Sequence, residues 1–282
     1  AVDDLTGTAR GLDGDVDDGM HGDLAKSDRS PVAIDTNFGK REFYTMKPEA
    51  LLSRIRVVLC RPSHPGNIGA AARAMKTMGL HDLCLVAPRQ FPDAEATARA
   101  TGAVDVLERA QQVDSLAEAL QASVFSVALS ARQRDLGPRL GAPRAVVAEL
   151  LACAANGPVA LVFGNESSGL ANEEIMQCQA AVTIPTNPEF SSLNLGAAVQ
   201  LLCYECRMTA FAGAAPLPDA GVTPLGGEPA SHAEIEGFYT HLTQIMQDTG
   251  FYNPHQPGRL LAKLRRLFGR AGLERDEVNI LR

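Results

Sequence analysis

Three hydrogen-bonding side chains crowd into one short stretch of the sequence, residues 189–198, which reads EFSSLNLGAA. Ser191, Ser192 and Asn194 stand close together there, between an apolar run and a long helical pattern. Serine and asparagine side chains cap helices, but one cap residue is enough for that purpose. The surplus of donors and acceptors therefore predicts a binding site at this turn.

Three further polar loops also follow apolar runs. They read RPSHPGNIGAAARAMKTMG (61–79), SARQRDLG (130–137) and GNESSGLANEE (164–174). Each loop by itself is explained by a turn with a helix cap. Ligands of parallel sheets bind beyond the carboxyl ends of the strands, so four such loops on one sheet predict a pocket.

The elements that must position these loops alternate along the chain. Short, Val-rich apolar runs predict five strands, at residues 54–60, 82–87, 123–130, 158–164 and 180–185. Helical patterns separate or follow them, at residues 70–79, 114–121, 143–155 and 195–208. This alternation predicts an α/β fold with a mostly parallel sheet and helices on both faces.

Charge and composition divide the chain of 282 residues, whose net charge is −7, into four segments. Residues 1–46 hold ten acidic and five basic side chains in a Gly- and Asp-rich context, which predicts disorder. An α/β domain is expected over 47–212, and four Gly with four Pro predict a linker over 213–230. Two helical patterns (232–248 and 257–272) then predict a basic helical C-terminal extension over 231–282.

Several classes of protein are disfavoured by what the sequence lacks. No apolar run approaches the roughly 18 residues of a membrane span, and no signal peptide opens the chain. Six cysteines lie mostly inside apolar runs, which is typical of reduced thiols in a cytoplasmic protein. Cys203 and Cys206 form a CxxC pair in mid-helix without a second pair, so we expect no metal site.

Common catalytic motifs are missing as well. PGNIGAAARA is not GxGxxG, and the second predicted strand ends without the acidic residue that holds a ribose, which disfavours a dinucleotide site. No GKS or GKT is present, which disfavours a P-loop. GNESSG does not match the GxSxG of a hydrolase nucleophile.

Three motifs occur in order along the chain. The first is NxGxxxR, formed by Asn67, Gly69 and Arg73; the second is FGNExxGL at 163–170; the third is IP at 184–185 followed by SLNL at 192–195. Together they resemble the motifs of the SPOUT (SpoU-type) RNA 2′-O-ribose methyltransferases over about residues 53–282. The tail, with RLLAKLRRLF and EVNILR, is similar to a bacterial branch that methylates the ribose of nucleotide 32 in the tRNA anticodon loop.

The resemblance implies a C-terminal trefoil knot, S-adenosylmethionine bound in that knot, a homodimer and a tRNA substrate. The polar turn at 189–198 would then be a knot loop around the methyl donor. By motif position, the residues that would contact the donor are Leu129, Ser130, Ala131, Gly164, Ile184, Ser191, Ser192 and Leu193.

Methylation of a ribose hydroxyl requires positive charge near the reacting oxygen, because a hydroxyl is a weak nucleophile. A guanidinium stays charged and can also hold a phosphate bidentately. By resemblance, Arg73 and Arg134 are the candidate catalytic and substrate-orienting residues, with Ser192 assisting, and Arg73 would act across the dimer. The candidate supporting residues are Asn67, Gly69, Asn165, Glu166, Gly169 and Asn194.

The basic tail is compatible with two interpretations. Four basic residues recur on one helical face, namely Arg259, Lys263, Arg266 and Arg270. Four apolar residues recur on another face, namely Leu260, Leu264, Leu267 and Phe268. The basic face either binds RNA phosphates or is simply solvated. A methyltransferase for another tRNA or ribosomal RNA position, and an inactive RNA-binding protein of the same family, also remain open.

Overall fold

The computed structural model describes residues 46–130, 137–212 and 227–282. Outside these ranges lie nearly all of the acidic N-terminal extension, most of the linker, and two candidate site residues, Ala131 and Arg134. Within them, seven parallel strands form a sheet in the order β3-β2-β1-β6-β4-β7-β5. The strands are β1 (Ile55–Cys60), β2 (Asp82–Val86), β3 (Gln111–Val113), β4 (Phe125–Leu129), β5 (Arg139–Gly141), β6 (Val159–Phe163) and β7 (Ala180–Val182).

Helices connect these strands and extend beyond them. Those of the α/β part are α1 (Pro48–Leu52), α2 (Pro65–Met78), α3 (Ala94–Ala100), α4 (Val104–Glu108), α5 (Leu116–Leu120), α6 (Pro143–Ala154), α7 (Asn172–Ile175) and α8 (Leu195–Phe211). Those of the tail are α9 (His232–Asp248), α10 (Leu260–Ala271) and α11 (Arg275–Leu281). None of the helices in the described part of the chain has the length and apolar character needed to cross a membrane.

The predicted parallel sheet is confirmed, and both of its faces are covered. Side chains alternate across a strand, so Val57 and Leu59 of β1 pack in one buried cluster while Val58 and Cys60 pack in another. Helices α2, α6 and α8 bury apolar side chains in the first cluster, and α5 and α7 bury theirs in the second. This double burial explains why the central strands are mostly apolar, and β6 wholly so.

All five predicted strands are present, but β3 and β5 were not predicted. Each has three residues, and the two lie at opposite edges of the sheet. Their side chains are exposed or half-buried, so they lack the apolar run that marks a buried strand. Helix α2, which the sequence predicted from residue 70, begins earlier, at Pro65, because proline fits the first turn of a helix.

The tail helices form a small core of their own. Phe238 of α9 meets Phe268 of α10 edge to face, with ring centroids 4.9 Å apart. Arg265 turns inward, lies 4.4 Å over the ring of Tyr239 and pairs with both carboxylate oxygens of Glu236 at 2.6 Å. Of the four apolar residues on one face of α10, Phe268 packs inward, whereas Leu267 is 51% exposed.

Candidate active site

The strand order brings the four polar loops together. Strands β1, β6, β4 and β7 are neighbours, and because they are parallel their carboxyl ends meet at one edge of the sheet. The loops that follow them contain all three motifs. The expected gathering of polar loops at one edge is confirmed for the described parts of these loops.

The carboxylate of Glu166 joins the second motif to the first. Its Oε2 accepts hydrogen bonds from the backbone N–H of Ser63 at 2.9 Å and from the Ser63 hydroxyl at 2.8 Å. Its Oε1 accepts from Asn67 Nδ2 at 2.9 Å and from the backbone N–H of His64 at 3.3 Å. Partial burial tends to raise the pKa of Glu166, but hydrogen bonds from Asn67 and Ser63 outweigh it and lower the pKa to about 2. Glu166 is therefore an ionised acceptor at neutral pH and is unsuited to act as a general base.

Asn194 joins the third motif to the first. Its Nδ2 donates to Asn67 Oδ1 at 2.8 Å, and its Oδ1 accepts from the backbone N–H of Gly196 at 2.9 Å. The second contact caps α8, so the same side chain begins the helix and reaches α2. A continuous chain of hydrogen bonds runs from Asn194 through Asn67 to Glu166, and it links all three motifs.

The loop that carries Glu166 is closed by backbone bonds. Asn165 and Gly169 exchange backbone hydrogen bonds of 3.2 and 2.8 Å, and the Asn165 side chain accepts from the backbone N–H of Ser167 at 2.9 Å. Gly169 has φ +69°, a conformation that favours glycine. A Cβ on Gly164 would lie 2.1 Å from the carbonyl carbon of Gly169, so only glycine fits there.

An ion pair that the sequence did not indicate supports the same edge. Arg61, directly after β1, pairs with both carboxylate oxygens of Glu174, of which the Nη2–Oε2 contact is 2.8 Å long. Glu174 is 8% exposed and also accepts from the backbone N–H of Ala171 at 2.7 Å. The hydrogen bond between the side chains of Arg61 and Glu174 raises the pKa of Arg61. The sequence carried no signal for this pair, because its members belong to different loops.

The candidate donor contacts occupy two kinds of environment. Leu129 and Ile184 are half-buried, and Ser130 is held against β7 by a 3.0 Å bond from its N–H to the carbonyl of Val182. By contrast, Ser191, Ser192 and Leu193 are exposed on the turn before α8. The structure thus brings β4, β6 and β7 together at the candidate site, while Ala131 lies outside the described residues.

Of the candidate catalytic residues, Arg73 and Ser192 can be placed and Arg134 cannot. Arg73 is exposed on α2, and no carboxylate among the described residues pairs with its side chain. Helix α2 packs closely on two neighbours, because a Cβ on Gly69 would meet the carbonyl oxygen of Ala96 at 2.1 Å and one on Gly196 would meet Ala70 Cβ at 2.8 Å. These contacts hold the Arg73 helix beside the turn that carries Ser192.

The candidate RNA-binding residues are all on the surface of the tail. Exposed basic side chains lie along α10 and at its N-cap, namely Arg259 (the N-cap residue), Lys263, Arg266 and Arg270. The neighbouring Arg265 instead forms a salt bridge with Glu236. In the described part of the chain, no group of three or more His, Cys, Asp or Glu side chains is arranged to hold a metal ion.

Comparison with known proteins gives consistent matches over both halves of the chain. The SpoU rRNA Methylase family model matches residues 54–204, and the model of the C-terminal domain of the tRNA methyltransferase TrmJ matches residues 233–282. The tRNA (cytidine/uridine/adenosine-2′-O-)-methyltransferase TrmJ of Pseudomonas aeruginosa is 48% identical, and the alignment covers 82% of this chain and 92% of that protein. The tRNA (cytidine/uridine-2′-O-)-methyltransferase TrmJ of Salmonella typhimurium is 47% identical, with 82% and 95% covered.

A solved structure agrees with the sequence matches. The crystal structure of TrmJ from Z. mobilis ZM4 superposes with a TM-score of 0.68 at 31% identity, and covers 80% of this chain and 95% of its own. The two family models cover the three motifs and nearly all of the three tail helices. The chain therefore belongs to the SpoU methylase family and, within it, to the TrmJ branch.

Proposed function

We propose that this chain transfers a methyl group from S-adenosylmethionine to a ribose 2′-hydroxyl of tRNA. The observation that carries the proposal is its 47–48% identity to two tRNA 2′-O-methyltransferases over nearly their whole length. The chain of hydrogen bonds from Asn194 through Asn67 to Glu166 supports the proposal, because it joins the three motifs at one site.

The donor site that we propose lies among the loops after β4, β6 and β7, in a trefoil knot formed by the C-terminal part of the sheet. Its residues are Leu129, Ser130, Ala131, Gly164, Ile184, Ser191, Ser192 and Leu193. The described members fit such a ligand, because they supply half-buried apolar side chains, exposed hydroxyls and, at Gly164, backbone without a side chain. Bound S-adenosylmethionine would supply an electrophilic methyl group on a positively charged sulfur.

The residues of this chain would position the ribose and stabilise its developing charge. Arg73 and Arg134 supply guanidinium groups that stay charged at any working pH and can orient a phosphate bidentately. Ser192 supplies a hydroxyl on the turn before α8, at the edge of the proposed donor site. Glu166 and Asn194 act indirectly, since they hold the loops in register. Positioning and exclusion of water then lower the barrier of an in-line displacement.

The nucleotide that we propose as the acceptor is position 32 of the anticodon loop, with cytidine or uridine as its base. The names of the two relatives agree on both bases, and one adds adenosine. The proposed organisation is an acidic extension (1–46), a methyltransferase domain (47–212), a linker (213–230) and an RNA-binding tail (231–282). A tRNA substrate and six free cysteines are consistent with a cytoplasmic enzyme.

A homodimer is the assembly that we propose. Four large apolar residues of α8 remain 42–45% exposed, namely Leu201, Tyr204, Met208 and Phe211. Their spacing of three and four places them on one face of the helix, which we call the α8 stripe. An apolar face of this kind favours burial against a partner. A second copy of the chain fits the proposal that Arg73 acts across subunits.

The experiment that tests the proposed function is methyl transfer followed by mapping. The purified full chain is incubated with S-adenosylmethionine and unmodified tRNA transcripts, and the digested RNA is analysed by mass spectrometry. We expect one 2′-O-methylated nucleotide, at position 32. Ribosomal RNA fragments form a second arm. Methylation of ribosomal RNA without methylation of tRNA, or no methylation of either RNA, would overturn the proposal.

A further inference from the structure

The proposed reaction releases a proton that its candidate catalytic residues are poorly suited to take. Methylation of a ribose hydroxyl replaces the O–H bond by a bond between oxygen and carbon, so the hydroxyl proton must leave. Arg73 and Arg134 cannot accept it, because a guanidinium stays protonated and offers no acceptor. The hydroxyl of Ser192 is no better a base than the ribose hydroxyl itself. A general base at the ribose would supply what these three side chains lack.

One imidazole and two carboxylates are the candidates for this base in the described chain between β1, β6 or β7 and the helix that follows each strand. They are His64, Glu166 and Glu189. Glu166 is excluded, because its four hydrogen bonds are already made and its pKa is lowered to about 2. An ordinary carboxylate such as that of Glu189 holds a proton about 100-fold less tightly than an imidazole does. Histidine is also the commonest general base in enzymes, so chemistry favours His64.

The backbone of His64 belongs to the hydrogen-bonded network that joins the motifs. Its N–H donates to Glu166 Oε1 at 3.3 Å, and its carbonyl accepts from the N–H of Asn67 at 3.0 Å. The side chain of Asn67 accepts in turn from Asn194 at 2.8 Å, and Ser192 lies two residues before Asn194. His64 and Ser192 therefore flank the same pair of asparagines, at the edge of the sheet where we place the methyl donor.

The imidazole of His64 has no structural task in the described part of the chain. His64 is the N-cap residue of α2, but its side chain makes no capping hydrogen bond. The residue is exposed, and no salt bridge among the described residues includes its ring. A fixed backbone with an uncommitted imidazole is an arrangement that suits contact with a substrate rather than support of the fold.

We propose that His64 accepts the proton of the ribose 2′-hydroxyl during methyl transfer. The inference rests on the proposed function and adds a catalytic residue outside the three motifs. A ring nitrogen of His64 takes the proton, and the electrons of the O–H bond stay on the oxygen as it bonds to the methyl carbon of S-adenosylmethionine. The carbon–sulfur bond breaks with its electron pair left on sulfur, which becomes an uncharged thioether. The protonated imidazole then releases its proton to water.

The first test compares two exposed histidines of the full-length protein. His64→Gln keeps a polar side chain that cannot accept the proton. His81→Gln is the matched control, because His81 precedes β2 at the opposite edge of the sheet from the carboxyl ends of the strands. His64→Gln should lower the turnover number by roughly 10²–10⁴-fold, whereas KM for tRNA and the affinity for S-adenosylmethionine stay within about twofold. His81→Gln should change none of the three quantities.

Chemical rescue separates proton transfer from a structural effect. His64→Ala is assayed with imidazole and with a series of imidazole derivatives that differ in basicity. If the missing group is a base, added imidazole should restore part of the turnover, and the restored rate should rise with the basicity of the derivative. A compound that only filled space would show no such dependence on basicity.

A contact between His64 and the hydroxyl can also be observed without turnover. The protein is bound to S-adenosylhomocysteine and to tRNA that carries either ribose or 2′-deoxyribose at the target nucleotide. The imidazole NMR signals of His64, identified by their loss in His64→Gln, should differ between the two complexes. Those of His81 should be the same in both.

Several outcomes would overturn the inference. His64→Gln with unaltered turnover would show that the imidazole takes no part in the reaction, and loss of turnover in Glu189→Gln instead would assign the base to that carboxylate. A loss of turnover in His64→Ala that no imidazole derivative restores, or His64 signals that ignore the hydroxyl, would contradict proton transfer. Failure of the proposed function is distinguishable, because the unaltered protein would then transfer no methyl group to tRNA.

Discussion

At the residue scale, the geometry of the three motifs depends on the carboxylate of Glu166. It accepts four hydrogen bonds from three residues that begin the α2 segment. The resemblance named Glu166 as a supporting residue, but it did not indicate that the backbone N–H groups it accepts from belong to Ser63 and His64, 103 and 102 residues away. Partners so distant in sequence depend on strand order, which a single sequence does not state.

Replacing Glu166 by glutamine tests this arrangement through stability. The amide loses part of the acceptor capacity, so Glu166→Gln should lower the free energy of unfolding by about 1–2 kcal/mol at pH 7. The pKa of Glu166 is lowered from 4.5 to about 2 in the folded protein. Its contribution is therefore complete above about pH 4.5 and is lost as the pH falls from about 4.5 towards 2.

Urea unfolding at pH 7 and at pH 3 measures this difference directly. The gap between Glu166→Gln and the unaltered protein should shrink at the lower pH. Glu49→Gln, on the exposed surface of α1, serves as the control and should show little change at either pH. A gap of the same size at both pH values would contradict an ionised Glu166 that stabilises the fold.

Arg73 carries the clearest catalytic prediction. Arg73→Ala should lower turnover by roughly 10²–10³-fold while S-adenosylmethionine affinity stays nearly unchanged, because the lost interaction is with the reacting ribose and phosphate. Arg73→Lys should restore little activity, since an ammonium lacks the planar fork. Methyl-transfer kinetics and calorimetry measure the two quantities. Equal losses of donor binding and turnover would instead place Arg73 in the donor pocket.

At the element scale, buried elements were predictable and edge elements were not. Strands such as β1 and β6 are mostly apolar because both faces of the sheet are covered, and this leaves a strong signal in the sequence. The edge strands β3 and β5 have only three residues each and little buried surface. Their pairing is set by neighbouring strands rather than by their own composition.

The α8 stripe gives the prediction that belongs to this scale. Met208→Lys places a charge on the exposed apolar face and should convert the proposed dimer to monomer, as measured by light scattering after gel filtration. Ile245→Lys, at a position of α9 with a similar exposure of 44%, is the matched control and should leave the dimer intact. If Met208→Lys remains dimeric at micromolar concentration, the stripe is not the dimer interface.

At the scale of the whole molecule, the tail packs against the α/β part rather than only following it. The backbone N–H of His232 donates to the carbonyl of Ser123 at 3.0 Å, and residues of α10 and β5 line one cleft. The sequence predicted two of the three helices described in the tail, α9 and α10, but not α11. It could not predict where the tail docks, because docking depends on complementary surfaces from segments far apart in the chain.

A mixed dimer tests whether the two subunits share each site. Arg73→Ala keeps its donor site, whereas Ser192→Trp blocks the donor site but keeps Arg73. If Arg73 acts across the dimer, a heterodimer of the two should regain one working site, although each parent is inactive. Activity is measured on heterodimers purified with two different affinity tags. Verified heterodimers without activity would show that Arg73 acts within its own subunit.

The proposed function requires that the methyl group is transferred to a ribose 2′-hydroxyl of tRNA. The most direct measurement uses two synthetic tRNAs that differ by one oxygen atom, with ribose or 2′-deoxyribose at the nucleotide that mapping identifies. Methyl groups transferred from labelled S-adenosylmethionine are counted on each. We expect about one methyl group per ribose-containing tRNA and none on the deoxy-substituted tRNA. Equal labelling of the two tRNAs would contradict it, because the methyl group would then reside on an atom other than that hydroxyl oxygen.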